Sequence, residues 1–161
     1  GSIVMHPLMH IQTLTEFVAE SNRIEGITRP PTEAEIQEAA RFSALKSATI
    51  ADLEQFVAVY QPGARLRNQI GLDVRVGWHL APRGGSNITV TLNNILAGAN
   101  TGGISPFYTH ECYEHLHPFM DGNGRSGRML WLWQMLREGW SPKLGFLHHW
   151  YYQTLDAFHA R

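Results

Sequence analysis

The chain has one cysteine, Cys112, in 161 residues, so no disulfide can form within it. A lone thiol fits a reducing compartment, and a cytoplasmic location is expected. No apolar run approaches the roughly 18 residues that suggest a membrane span. No charged-then-apolar leader opens the sequence, so no membrane partner is expected. Neither sign of charge dominates: 13 Lys and Arg stand against 14 Asp and Glu. The resulting net charge of −1 lacks the basic surplus of a polyanion-coating protein, and nucleic acid is not expected as a partner. Repeats and low-complexity segments are also missing. So are the Walker A loop and the V-A-I-K and H-R-D elements of protein kinases. What is left is an ordinary globule of one-domain size with 43% apolar residues. Gly1-Ser2 reads as a scar of expression, leaving 3–161 as one domain. The stretch up to Arg161 is still amphipathic, which leaves open a longer parent protein.

One block concentrates the chemistry: His117-Pro118-Phe119-Met120-Asp121-Gly122-Asn123-Gly124-Arg125-Ser126-Gly127-Arg128. The apolar run Met129–Glu138 behind it predicts a buried helix. A Gly-Asn-Gly turn opening such a helix presents unpaired backbone N–H groups and the positive end of the helix dipole, which suits an anion. Arg125 and Arg128 are spaced i, i+3, so both can grip phosphate oxygens from one face. Asp121 supplies a hard oxygen for Mg²⁺. His117, with an unperturbed pKa of about 6.5, is a candidate general base. Gly122 to Gly127 also spell G-x-G-x-x-G. The dinucleotide fingerprint, however, needs a preceding strand and an acidic residue about twenty positions on, and neither is present.

Helices are predicted over Leu8–Ile24 with Gly26 as a stop, and from the capping box Thr32-Glu33-Ala34-Glu35 to about Lys46. Further helices are predicted over Ile50–Tyr60, Val90–Ala99, Pro106–His115, Asn123–Glu138 and Phe146–His159. Val74, Val76, Trp78 and Leu80 alternate with Arg75, Gly77 and His79, a period-2 strand signal. The sum is mainly α with one short hairpin. His110 to His115 do not give the H-E-x-x-H spacing, and His148-His149 diverge on a helix, so zinc is not expected. The tryptophans, Trp131, Trp133 and Trp140 among them, read as core.

The twelve-residue block resembles the signature of the Fic family, His-Pro-Phe-x-Asp/Glu-Gly-Asn-Gly-Arg-x-x-Arg, at every defined position. The resemblance implies a Fic-type helical bundle with a β-hairpin flap, here 72–85, and a signature loop at 117–128. It also implies a transferase moving AMP from MgATP to a Ser, Thr or Tyr hydroxyl of a protein. His117 would be the base, Asp121 the Mg²⁺ ligand, and Gly122, Asn123, Gly124, Arg125, Ser126, Gly127 and Arg128 the nucleotide cradle. Doc-type phosphotransferases carry lysine where Gly124 stands, which disfavours a kinase reaction.

Ser21-Asn22-Arg23-Ile24-Glu25-Gly26 reads by itself as a glycine-capped helix end. It also resembles the inhibitory pattern Ser/Thr-x-x-x-Glu-Gly/Asn of Fic proteins, which implies an inhibitory helix at 8–26 whose Glu25 pairs with Arg128. In relatives that also remove AMP the same glutamate orients a water, so de-AMPylation stays open. Val76, Gly77, Trp78 and His79 match flap residues that touch nucleotide in relatives, and an open flap edge can hold a target by main-chain pairing. After His79 the sequence departs from the proline-richer flap of the family. Tyr151 and Tyr152 read as packing residues on their own. By resemblance they approach the adenine, with His159 where some relatives have asparagine.

The expected partners are therefore ATP and a hydroxyl-bearing protein, or the chain itself, with a homodimer allowed. Two other readings remain from the sequence. One is a Fic domain locked by Glu25 that serves as a nucleotide-binding sensor; the other is a transferase of another phosphate-containing group.

Overall fold

The computed structural model describes residues 11–139, with side chains from residue 13. The predicted helix at 146–159, Tyr151, Tyr152, Trp140, His148 and His149 lie outside the described residues.

The chain order is α1 (Ile11–Ile24), α2 (Glu33–Ser43), α3 (Ile50–Tyr60), β1 (Arg75–Val76), β2 (His79–Leu80), α4 (Ser86–Thr101), α5 (Pro106–Leu116) and α6 (Asn123–Arg137). α6 is the central rod, packed against α1, α2, α3 and α5. Every residue from Arg125 to Leu136 is buried, because α6 meets neighbours all round rather than on one stripe. The core joins Leu14, Phe17 and Val18 of α1 to Phe42, Phe56 and the α6 residues Leu130, Trp131 and Trp133.

The helix starts follow local chemistry. Thr32 accepts from Glu35 N–H while Glu35 accepts from Thr32 N–H, a reciprocal cap that opens α2. Thr49 and Asp52 repeat the device at α3, and Ser105 with Pro106 at N1 opens α5. Gly26 takes φ +79° after α1.

Three predicted elements change. α2 ends at Ser43, short of Lys46, because the following turn is used elsewhere. Trp133 Nε1 donates to the Leu45 carbonyl, and Asn100 clamps both backbone groups of Ala48. α4 begins at Ser86 and runs to Thr101, longer at both ends than Val90–Ala99, since Gly85 and Gly102 are what stop it. The alternating run 74–80 forms the predicted hairpin, as two short strands rather than one continuous run. Arg75 pairs with Leu80 and Val76 with His79 across a turn at Gly77-Trp78, with Gly77 at φ +59°. Its apolar side chains do not face the core: Trp78 is 81% exposed and Leu80 64%. Among the described residues no helix is long and apolar enough to cross a membrane.

Candidate functional site

The signature segment turns sharply between α5 and α6. His117 caps α5 in the left-handed region at φ +47°, the sole non-glycine residue with positive φ among the described residues. Its Nδ1 contacts the Glu114 carbonyl. A carbonyl only accepts, so Nδ1 carries the proton and Nε2 keeps its lone pair. Burial lowers the His117 pKa below its ordinary value, with His79 and Arg67 adding to that and Glu114 opposing it. The imidazole is therefore neutral at pH 7. Glu114 lies beside it: burial disfavours its charge, yet His110, Arg128 and His117 together hold its carboxyl below the usual range. Its Oε1 is 3.3 Å from His110 Nε2.

Gly122 opens α6 at φ +79°, and no side chain caps the helix. The N–H groups of the first turn therefore face the site without a side-chain acceptor. The Asp121 carboxylate accepts from Gly122 N–H at 2.8 Å and is exposed at the mouth.

The Asn123 side chain turns inward. Its amide accepts from Phe119 N–H and donates to Phe119 C=O, so the side chain staples the loop instead of facing a ligand. Ser126 and Gly127 are likewise engaged inside the fold. Ser126 Oγ pairs with Tyr113 Oη and the Gly122 carbonyl in the core. A Cβ at Gly127 would lie 2.9 Å from Tyr113 Cδ1, so that glycine serves the close packing of α5 on α6.

The two arginines also diverge. Arg125 donates to the Tyr60 carbonyl at 2.8 Å and to Gln61 Oε1 at 2.6 Å, and it is 4% exposed. Arg128 turns to the end of α1. Its Nε donates to Ser21 Oγ at 2.8 Å, and its Nη2 donates to the Ser21 carbonyl at 2.9 Å and to Glu25 Oε2 at 2.7 Å. The Arg128 side chain is 8% exposed, whereas that of Glu25 is 38% exposed. Gly124 lies directly beneath: a Cβ there would collide with Glu25 Oε2 and sit 3.1 Å from Arg128 Nη1. A carboxylate thus lies over the start of α6.

The hairpin reaches the same place from the other side. His79 Nε2 donates to the His115 carbonyl at 2.9 Å, and its ring centroid is 5.9 Å from that of His117. Val76, Gly77 and Trp78 extend outward from it, all exposed. A cavity of about 520 Å³, bordered by Pro82, Ile95, Ile104, Tyr108, Cys112 and His115, abuts the hairpin base and contains none of the predicted site residues.

The model of the Fic/DOC family matches residues 84–135. Over those residues the chain is similar to the Fic/DOC family. The matched stretch runs from the end of the hairpin through α6 and contains the whole of His117–Arg128. No curated protein and no solved structure matches the chain. The match supports a Fic-type transferase in general.

Sequence reasoning missed Ser21 as an Arg128 ligand, Tyr60 and Gln61 as Arg125 acceptors, and Arg67. The i, i+4 pairing of His110 with Glu114 was visible in the spacing. The Arg67 partners, up to 50 residues away, gave no local signal.

Proposed function

We propose that residues 3–161 form one Fic domain that moves AMP from MgATP onto a Ser, Thr or Tyr hydroxyl of a protein, and that Glu25 holds it inactive. The observation that carries this reading is the Glu25 carboxylate bound to Arg128 above Gly124, a few residues along the chain from a neutral His117. A site that draws in a carboxylate at a helix N-terminus is built for anions, and triphosphate is the anion the signature implies.

In the reaction, His117 Nε2 takes the hydroxyl proton as the oxygen bonds to the α-phosphorus. The bond from the α-phosphorus to the bridging oxygen breaks, and diphosphate leaves. The N–H groups of Asn123, Gly124 and Arg125 sit where charge grows on the phosphates. Arg128, once Glu25 withdraws, holds the γ-phosphate and sets the line of attack. Arg125 braces the α6 start against α3 through Tyr60 and Gln61.

Among the described residues no group of three or more His, Cys, Asp or Glu could cage a metal. The exposed Asp121 fits Mg²⁺ nonetheless, since that ion commonly takes one or two carboxylates together with substrate phosphates. When bound, Mg²⁺ would neutralise phosphate charge. The hairpin supports main-chain capture of the target, with Trp78 and Leu80 offered to it and Val76, Gly77 and His79 beside the nucleotide. Tyr151 and Tyr152 are proposed to reach the adenine.

The test is Glu25→Gly protein with MgATP: a covalent AMP adduct on the chain or on lysate proteins is expected. A phosphate adduct would instead favour transfer of another group, and bound nucleotide with no adduct would favour a sensor.

A further inference from the structure

Arg67 is 0% exposed, and its guanidinium has no carboxylate partner among the hydrogen bonds it makes. It serves four backbone carbonyls. Nε donates to His117 O at 2.6 Å and Nη2 to Leu116 O at 2.8 Å. Nη1 donates to Leu72 O at 3.0 Å and Pro82 O at 2.8 Å. The first pair ends α5 and starts the signature; the second pair closes the base of the hairpin. The Arg67 backbone adds to the joint, donating to Pro118 O at 2.8 Å and accepting from Gly85 N–H at 2.9 Å. Leu66 and Phe119 form an antiparallel bridge beside it. Asp73, the nearest acid by its effect on Arg67, lies at the hairpin base and accepts from Gly84 N–H at 2.8 Å.

A buried cation that meets only peptide carbonyls is an expensive way to fill a core, since an apolar side chain would fill the same space without desolvating a charge. What it supplies is a rigid fork with five donors, which lysine cannot imitate. Here the fork spans two elements that the reaction needs in register. His117 sits in a backbone region that its Cβ disfavours, and the shortest of the four bonds is to its carbonyl.

We propose that Arg67 is a positioning residue that locks His117 in its left-handed conformation and sets the hairpin at a fixed distance from it. This rests on the reading of His117 as the base. Arg67 touches no reacting atom. It acts by holding the His117 carbonyl so that Nδ1–H stays on Glu114 O and Nε2 keeps its lone pair, with the ring 5.9 Å from that of His79.

The experiment uses Arg67→Lys and Arg67→Gln in the Glu25→Gly chain. Folded variants should lose on the order of 10²-fold in kcat, the size of a misplaced group. KM for MgATP should change by less than about threefold, because nucleotide contacts are untouched. Free guanidinium should restore part of the rate to Arg67→Ala. Imidazole ¹⁵N spectra give a readout that needs no turnover: parent protein shows His117 as the Nδ1–H tautomer, and the variants show a mixture. A folded Arg67→Lys protein with parental kcat and an unchanged tautomer overturns the proposal. If the variants do not fold, unmodified protein decides it. A through-bond NMR coupling from Arg67 Nε–H to the His117 carbonyl is expected, and proton exchange there should be at least about 100-fold slower than at exposed Arg83. Exchange as fast as at Arg83 overturns it. Transfer that persists in His117→Ala would remove the base from the mechanism, whereas the tautomer and coupling measurements judge Arg67 independently.

Discussion

The Glu25 carboxylate reaches Arg128 Nη2 at 2.7 Å across 103 positions of sequence, and it does so over a glycine. The pair is lopsided: the arginine side chain is 8% exposed and the carboxylate 38%. Ser21 anchors the buried guanidinium from behind through two further bonds, so the arginine is fixed whichever anion faces it. An exposed carboxylate in front of a fixed guanidinium can be displaced by another anion.

Glu25→Gly should therefore activate. A partly exposed pair is worth about 1–3 kcal/mol as a coupling between closed and competent states, which corresponds to a rise of roughly 5–150-fold. Initial rates of AMP incorporation at saturating MgATP check this. Equal rates for the two proteins would remove Glu25 from regulation.

Arg128→Ala removes the group that Glu25 binds and that the proposal gives to the γ-phosphate. The gain from Glu25→Gly should then largely vanish in the Arg128→Ala background, a coupling expected only of residues that meet. Calorimetry should also show ATP losing more affinity than ADP. Full activation by Glu25→Gly without Arg128 would place the inhibitory contact elsewhere.

The start of α2 and the stop of α1 were legible because their signals are local: Thr32 with Glu35, and Gly26. The site was legible because its residues are contiguous from 117 to 128. The hairpin was half legible. Period-2 alternation cannot distinguish one strand from two strands joined at Gly77-Trp78, and its apolar residues point to solvent rather than core. The inward side-chain contacts of Asn123 and Ser126 and the close packing at Gly127 were not legible, for one reason. Adjacency on a helix says nothing about which side chains turn inward, and α6 is buried on every side. Arg67 was illegible because each of its bonds is tertiary.

Asn123→Ala should destabilise the chain by about 1–3 kcal/mol, since both Phe119 backbone groups lose partners in a buried loop. Denaturant unfolding measures it. A change under about 0.5 kcal/mol would mean that the staple contributes nothing.

The pH dependence follows from His117, whose pKa is lowered chiefly by burial, with His79 and Arg67 in the same direction and Glu114 against. A base must be neutral, so kcat/KM should climb as pH rises to the lowered pKa and be flat from about 6.5 upward. Stability has the same sign. The unfolded imidazole binds a proton below about 6.5 that the folded one refuses, so this contribution is intact above 6.5 and lost as pH falls through the folded value. Comparing His117→Gln with the parent isolates it. A rate still titrating upward between pH 7 and 8 would contradict a depressed His117.

The central claim is that the protein transfers AMP through His117 and is restrained by Glu25. Intact-mass spectrometry after incubation with MgATP tests it most directly, on Glu25→Gly and on Glu25→Gly/His117→Ala protein. The account predicts a mass increase of one AMP group on the first and none on the second, where losing a general base should cost about 10²–10⁴-fold. An increase of one phosphate, or AMP addition that survives without His117, would contradict it.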